Sequence, residues 1–152
     1  MIKNGWKDKL DTPGAVQMAH VQALFVPRPW HELVPDQKHT VVVAGYGTFD
    51  ATTTQGNAYG MTSDYVTAGR TPDGSLVLAY VPSLRTVTVD MSQLSAAATA
   101  HWYDPSRGTY TAVEESPLAN TGNHKFTPPG RNGDGDGDWV LVLETKPPKS
   151  KK

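Results

Sequence analysis

Residues 40–144 break into short runs in which apolar and polar side chains alternate, and most runs are closed by a proline or a glycine. A two-residue period is the signature of a strand with one buried face. A chain made of many such runs can bury them in few ways: two stacked sheets, or one closed sheet. RTVTVDM sets Val87 and Val89 on one face and Thr86 and Thr88 on the other. DYVTAGR and SLVLAYVP flank the turn tetrapeptide TPDG, and ATAHWYD and TYTAVEE flank DPSRG, so two hairpins are predicted. TVVVA reads as a short apolar strand, and HKFTPP as an edge strand ended by its prolines. WVLVLE is apolar on both faces, which suits a strand in the middle of a sheet. The fold class predicted is all-β: an antiparallel β-sandwich of about eight strands, preceded by one N-terminal helix. Residues 45–64, rich in threonine and glycine, read as one long exposed loop.

The N-terminal helix has its own signals. Thr12-Pro13 reads as a cap followed by proline in the first helical position. Met18, Val21, Leu24 and Phe25 then recur at helical spacing as one apolar stripe, over residues 13–26. Pro27 and Pro29 stop the helix, and WHELVPD is at most one further turn. A lone helix of this length is unstable in water, so its stripe needs something to pack on. The chain therefore divides into residues 1–37 (helix and linker), 38–145 (the sandwich) and 146–152, a basic tail expected to be disordered.

Composition narrows the partners. The formal charge is −1 and the pI about 6.5, so neither a nucleic-acid footprint nor a membrane-surface patch is expected. No apolar stretch approaches the roughly 20 residues of a spanning helix. Residues 1–11 are polar and lack the apolar core of a signal peptide. The absence of cysteine excludes disulfides and thiolate metal sites.

In combination, HWYDPSRGTY, FTPPG and DWVLVLE resemble the "putative collagen-binding domain of a collagenase", a bacterial family that commonly follows an apiosidase-like glycoside hydrolase barrel. TPDGSLVLAYVPSLRTVTVDMSQL is similar to its middle section, and residues 5–36 look like the last helix of the (β/α)₈ barrel with its join to the sandwich. The chain departs from the family pattern around Phe49 to Tyr59 and in the DGDGD stretch before Trp139. The resemblance implies a non-catalytic accessory domain of a carbohydrate-active enzyme whose catalytic carboxylates lie on barrel strands outside this chain. The implied partners are the upstream barrel and a polysaccharide; the alternatives are an extracellular collagen-like protein ligand, or no ligand at all. The parent protein would be secreted or periplasmic.

Glycoside hydrolysis needs two carboxyl groups about 5 to 9.5 Å apart across a cleft. Glu114 and Glu115 are neighbours on a predicted strand and so face opposite ways. The 5 histidines show no HExxH spacing, and no GxSxG elbow is present. No catalytic residue is therefore assigned.

Asn132, Asp134, Asp136 and Gly137 match the first half of a calcium loop, with Asp138 as a further oxygen ligand. The position that should hold the bidentate glutamate is Leu143, so any calcium would be weakly bound. The other reading is an acidic hairpin loop, glycine-rich because the chain reverses sharply. Sugar-binding modules stack ligands on exposed rings. Tyr46, Phe49, Tyr59, Tyr103 and Tyr110 are the candidates for that role, whereas Trp102, Tyr80 and Trp139 are expected in the core. Trp102 and Tyr103 are adjacent on a strand, so one is expected buried and the other exposed.

Overall fold

The computed structural model describes residues 12–49 and 63–145. Among them are one α-helix, α1 (Pro13–Phe25), and nine strands: β1 (Val34–Pro35), β2 (Val42–Ala44), β3 (Thr67–Arg70), β4 (Leu76–Val81), β5 (Val87–Asp90), β6 (Thr99–Asp104), β7 (Thr109–Ala112), β8 (Asn123–Phe126) and β9 (Trp139–Glu144). Six strands form one sheet in the order β1-β3-β4-β9-β6-β7, and three form a second in the order β2-β5-β8. Every pairing is antiparallel. Both predicted hairpins form, and the HKFTPP run is an edge strand, β8.

The core lies between the sheets. Val77, Ala79 and Val81 of β4, Val87 and Val89 of β5, and Trp139, Leu141 and Leu143 of β9 meet there with Trp102 and Phe126. Each fully buried aliphatic or aromatic side chain contributes about 1.5–3 kcal/mol relative to leaving it in water. β9 runs between β4 and β6, and all of its residues are buried. A sandwich strand normally wets one face, and the outer residues Val140 and Val142 escape this because a second apolar cluster covers them. That cluster joins Leu24 of α1 to Leu76, Leu78, Tyr103, Val140 and Val142, with Phe25 and Leu33 at its margin.

The helix therefore packs on the outer face of the large sheet, but not by the stripe its spacing suggests. Leu24 is buried and Phe25 half-buried, whereas Met18 is 63% and Val21 43% exposed. The apolar contact of α1 with the sheet comes from its C-terminal turn. The segment after it makes the one further turn expected and then adds a short strand that was not. One 3₁₀ turn, Trp30–Glu32, gives way to β1, which pairs with β3 at the edge of the sheet. Pro35 is tolerated there because an edge strand leaves one row of backbone groups unpaired.

Candidate functional site

The ring-bearing candidates fall into two separate groups. Tyr46 and Phe49 follow β2, and residues 63–66 run back beside them, with the Val66 amide donating to the Tyr46 carbonyl at 2.8 Å. Tyr46 stacks on His39, with centroids 3.8 Å apart and planes 14° from parallel. Tyr65 meets Phe49 edge-on at 5.7 Å, and its hydroxyl lies 3.3 Å from His39 Nε2. His39 and Tyr65 were not singled out in the sequence, because neither lies in a ring-rich motif. Tyr59 is outside the described residues.

Tyr103 and Tyr110 pair instead across β6 and β7 on the outer face, 4.7 Å apart. Two expectations are corrected here. Tyr103 is 1% exposed, so it and Trp102 are both buried, because α1 covers the face that would otherwise be wet. Its hydroxyl donates to the His20 carbonyl of α1 at 2.7 Å, and burial pushes its pKa up to about 12. Tyr80, assigned to the core, is 40% exposed, because it lines the open groove beside α1 rather than the space between the sheets. Tyr80 donates to Asp138 Oδ2 at 3.2 Å, and burial of its hydroxyl beside that carboxylate pushes its pKa up to about 12.

The acid-glycine loop is organised around Asn132, which is itself buried. Its side-chain carbonyl accepts from the amides of Asp134 and Asp136 at 3.1 and 3.0 Å, and its amide donates to Asp138 Oδ1 at 2.6 Å. Asp134 accepts from Gln17 of α1 at 2.9 Å. The structure thus brings Asn132 and Asp138 together but turns Asp134 toward the helix. Burial raises the pKa of Asp138 against the lowering effect of the Tyr80 hydrogen bond.

Asp104, at the end of β6, ties this loop to the hairpin that follows. One carboxylate oxygen accepts from the amides of Ser106 and Arg107, at 2.8 and 3.1 Å, and the other from Gly133 at 2.8 Å. Burial works to raise its pKa, but the hydrogen bonds from Ser106, Gly133 and Arg107 outweigh it and hold the group low.

One buried charge pair went unrecognised in the sequence. Arg28, between the two prolines that end α1, donates through Nε and Nη2 to the two oxygens of Glu144, each at 3.0 Å. It also donates to the Leu24 carbonyl at 2.6 Å and the Tyr110 hydroxyl at 2.9 Å. Burial pulls its pKa down, yet Glu144 and Tyr110 outweigh that and raise it, so the guanidinium stays charged. The available signal was a carboxylate at the end of an otherwise apolar buried strand, which demands a partner.

Glu114 and Glu115 are exposed and lie past the end of β7, in a turn rather than on the strand expected. The histidines are dispersed: His20 faces the Pro105 carbonyl, His31 faces Glu32, and His124 packs on Phe126. Among the described residues, no group of three His, Asp or Glu side chains could hold a metal ion.

Comparison with known proteins agrees with this architecture. No curated protein matches the chain. A solved structure named "Glycoside hydrolase" is 27% identical with a TM-score of 0.65, over 99% of this chain and 29% of that one. A glycoside hydrolase family 5 protein from Bacteroides vulgatus is also 27% identical, with a TM-score of 0.68, over 91% of this chain and 26% of its own. This chain therefore spans less than a third of either neighbour. The family model "Putative collagen-binding domain of a collagenase" matches residues 50–144, more than half of the sequence, and the chain belongs to that family.

Proposed function

We propose that this chain is a non-catalytic accessory domain of a bacterial, secreted or periplasmic glycoside hydrolase, and that α1 is the element on which the hydrolase body rests. The observation that carries this reading is an unfilled apolar face. Beside α1 an open groove of about 450 Å³ is lined by Val21, Leu24, Phe25, Leu33, Leu78 and Val140, among others. Met18 and Val21, three residues apart on one side of the helix, stand exposed. Contiguous exposed apolar surface marks a site that another body covers. The solved neighbours, which continue for most of their length beyond the matched part, support a body of that kind. On this reading α1 is the last helix of a (β/α)₈ barrel and residues 26–37 are its join to the sandwich. The exposed, adjacent placement of Glu114 and Glu115 supports a non-catalytic role, because the hydrolytic geometry sets two carboxyls across a cleft.

The test has two parts. The chain alone should show no turnover on glycosides, and a reproducible turnover abolished by one carboxylate substitution would overturn the non-catalytic assignment. In a protein that joins the chain to its hydrolase body, Met18→Lys with Val21→Lys should split a single thermal transition into two. An unchanged single transition would remove α1 as the docking element.

A further inference from the structure

We propose that Phe49, Tyr65, Tyr46 and His39, together with the Asp64–Arg85 ion pair beside them, form a shallow carbohydrate subsite that takes one pyranose ring of a polysaccharide. The choice of polymer as ligand rests on the accessory-domain reading; the site itself rests on geometry.

Phe49 is 68% exposed, the most exposed large apolar residue among those described, while its edge contact with Tyr65 fixes where the ring stands. The backbone beneath it is pinned as well. The Thr48 amide donates to Asp64 Oδ1 at 2.8 Å, and the Ser63 hydroxyl to the Thr48 carbonyl at 3.4 Å. Gly47 sits in the left-handed region with φ of 74°, and a side chain there would collide with Asp64 and Arg85.

His39 carries the second mark of a built surface. It adopts φ of 53°, a conformation costly for a non-glycine residue, and is held by its stack on Tyr46 and its contact with Tyr65. Strain of this kind persists where the surroundings over-determine it, and it clusters at ligand sites.

The chemistry on offer is mixed in the way a sugar requires. A pyranose presents an axial C–H face and a rim of hydroxyls. Phe49 can meet the C–H face, as aromatic rings do through their quadrupole. Asp64 and Arg85, joined through Arg85 Nη2 and Asp64 Oδ2, are both partly exposed. The carboxylate, 44% exposed, and the guanidinium, 23% exposed, supply the acceptors and planar donors that adjacent hydroxyls take. The extent of the cluster argues against a rod-like protein ligand. Its ring centroids lie within 6.5 Å of their neighbours, and the remaining candidate rings, Tyr103 and Tyr110, pair on the outer face beside α1. A triple helix would need a long continuous strip.

Native affinity electrophoresis of the whole chain through gels containing hydroxyethylcellulose, xylan or polygalacturonate tests the proposal, with immobilised triple-helical collagen in parallel. At least one polysaccharide should retard the chain. Phe49→Ala should weaken that binding about tenfold or more with the melting temperature unchanged, and Asp64→Asn should weaken it too. Met18→Lys, which bears on docking of the hydrolase body, should bind sugar as the parent chain does, so the two proposals fail separately. No retardation by any of the polymers, parental affinity in Phe49→Ala, or binding confined to collagen would each overturn the subsite.

Discussion

Arg28 and Glu144 set the position of α1 with a single buried ion pair. Two charges removed from water are costly, and here each is met by complementary groups: two parallel hydrogen bonds between them, with Leu24 and Tyr110 taking further guanidinium protons. Removing one partner leaves the other buried and unpaired. Arg28→Ala should therefore destabilise the chain by about 3–5 kcal/mol, and Arg28→Met with Glu144→Leu should recover most of that loss. Denaturant midpoints for the two variants check this; equal midpoints would mean the pair contributes only packing. Asp104 acts at the same scale with a pH signature. Its folded pKa is held below the ordinary carboxylate value by the amides of Ser106, Gly133 and Arg107. That contribution is present above the unfolded pKa of about 3.9 and is lost as pH falls through the lower folded value. Asp36, whose carboxylate accepts from the amides of residues 40–42, behaves in the same sense. Stability should thus fall in acid, and Asp104→Asn should make the fall shallower. An identical acid profile for parent and variant would exclude Asp104 from it.

Among the elements, the 132–138 loop shows how similar sequences separate into different structures. Its acids alternate with glycine as in a calcium loop, whose carboxylates converge on the ion. Here the convergence is on Asn132 instead: two amides point at its carbonyl, and Asp134 is engaged by Gln17. Calcium would have to displace these bonds. Millimolar calcium should leave the melting temperature where chelator leaves it. A rise of about 2 to 5 °C that disappears in Asp134→Ala with Asp136→Ala would instead establish a weak site. The helix makes the parallel point for packing. Met18, Val21, Leu24 and Phe25 share a stripe, yet only the last two are drawn onto the sheet. Tyr103 beneath them donates to a helix carbonyl, so this element is held by polar bonds at its buried end as much as by apolar area.

For the molecule as a whole, the sequence by itself determined the class of fold. The two-residue period, the turn tetrapeptides and the doubly apolar WVLVLE run are local properties, and the hairpins, the edge strand β8 and the central strand β9 follow from them. It also carried the family resemblance, because HWYDPSRGTY, FTPPG and DWVLVLE are contiguous. What it could not decide was which faces stay dry. Alternation shows that Trp102 and Tyr103 point opposite ways, but not that a helix ending at Phe25, far back in the chain, covers the second of them. For the same reason Tyr80, expected in the core, is exposed, and the role of Arg28 emerges only where the fold brings Glu144 against it. The aromatic cluster divides along the same line. Tyr46 and Phe49 were visible as rings in a loop, while His39 and Tyr65 joined them only through tertiary approach. Periodicity is written within a strand or a helix, whereas burial and pairing between distant residues depend on how sheets and helix stack. Only the tertiary structure decided those.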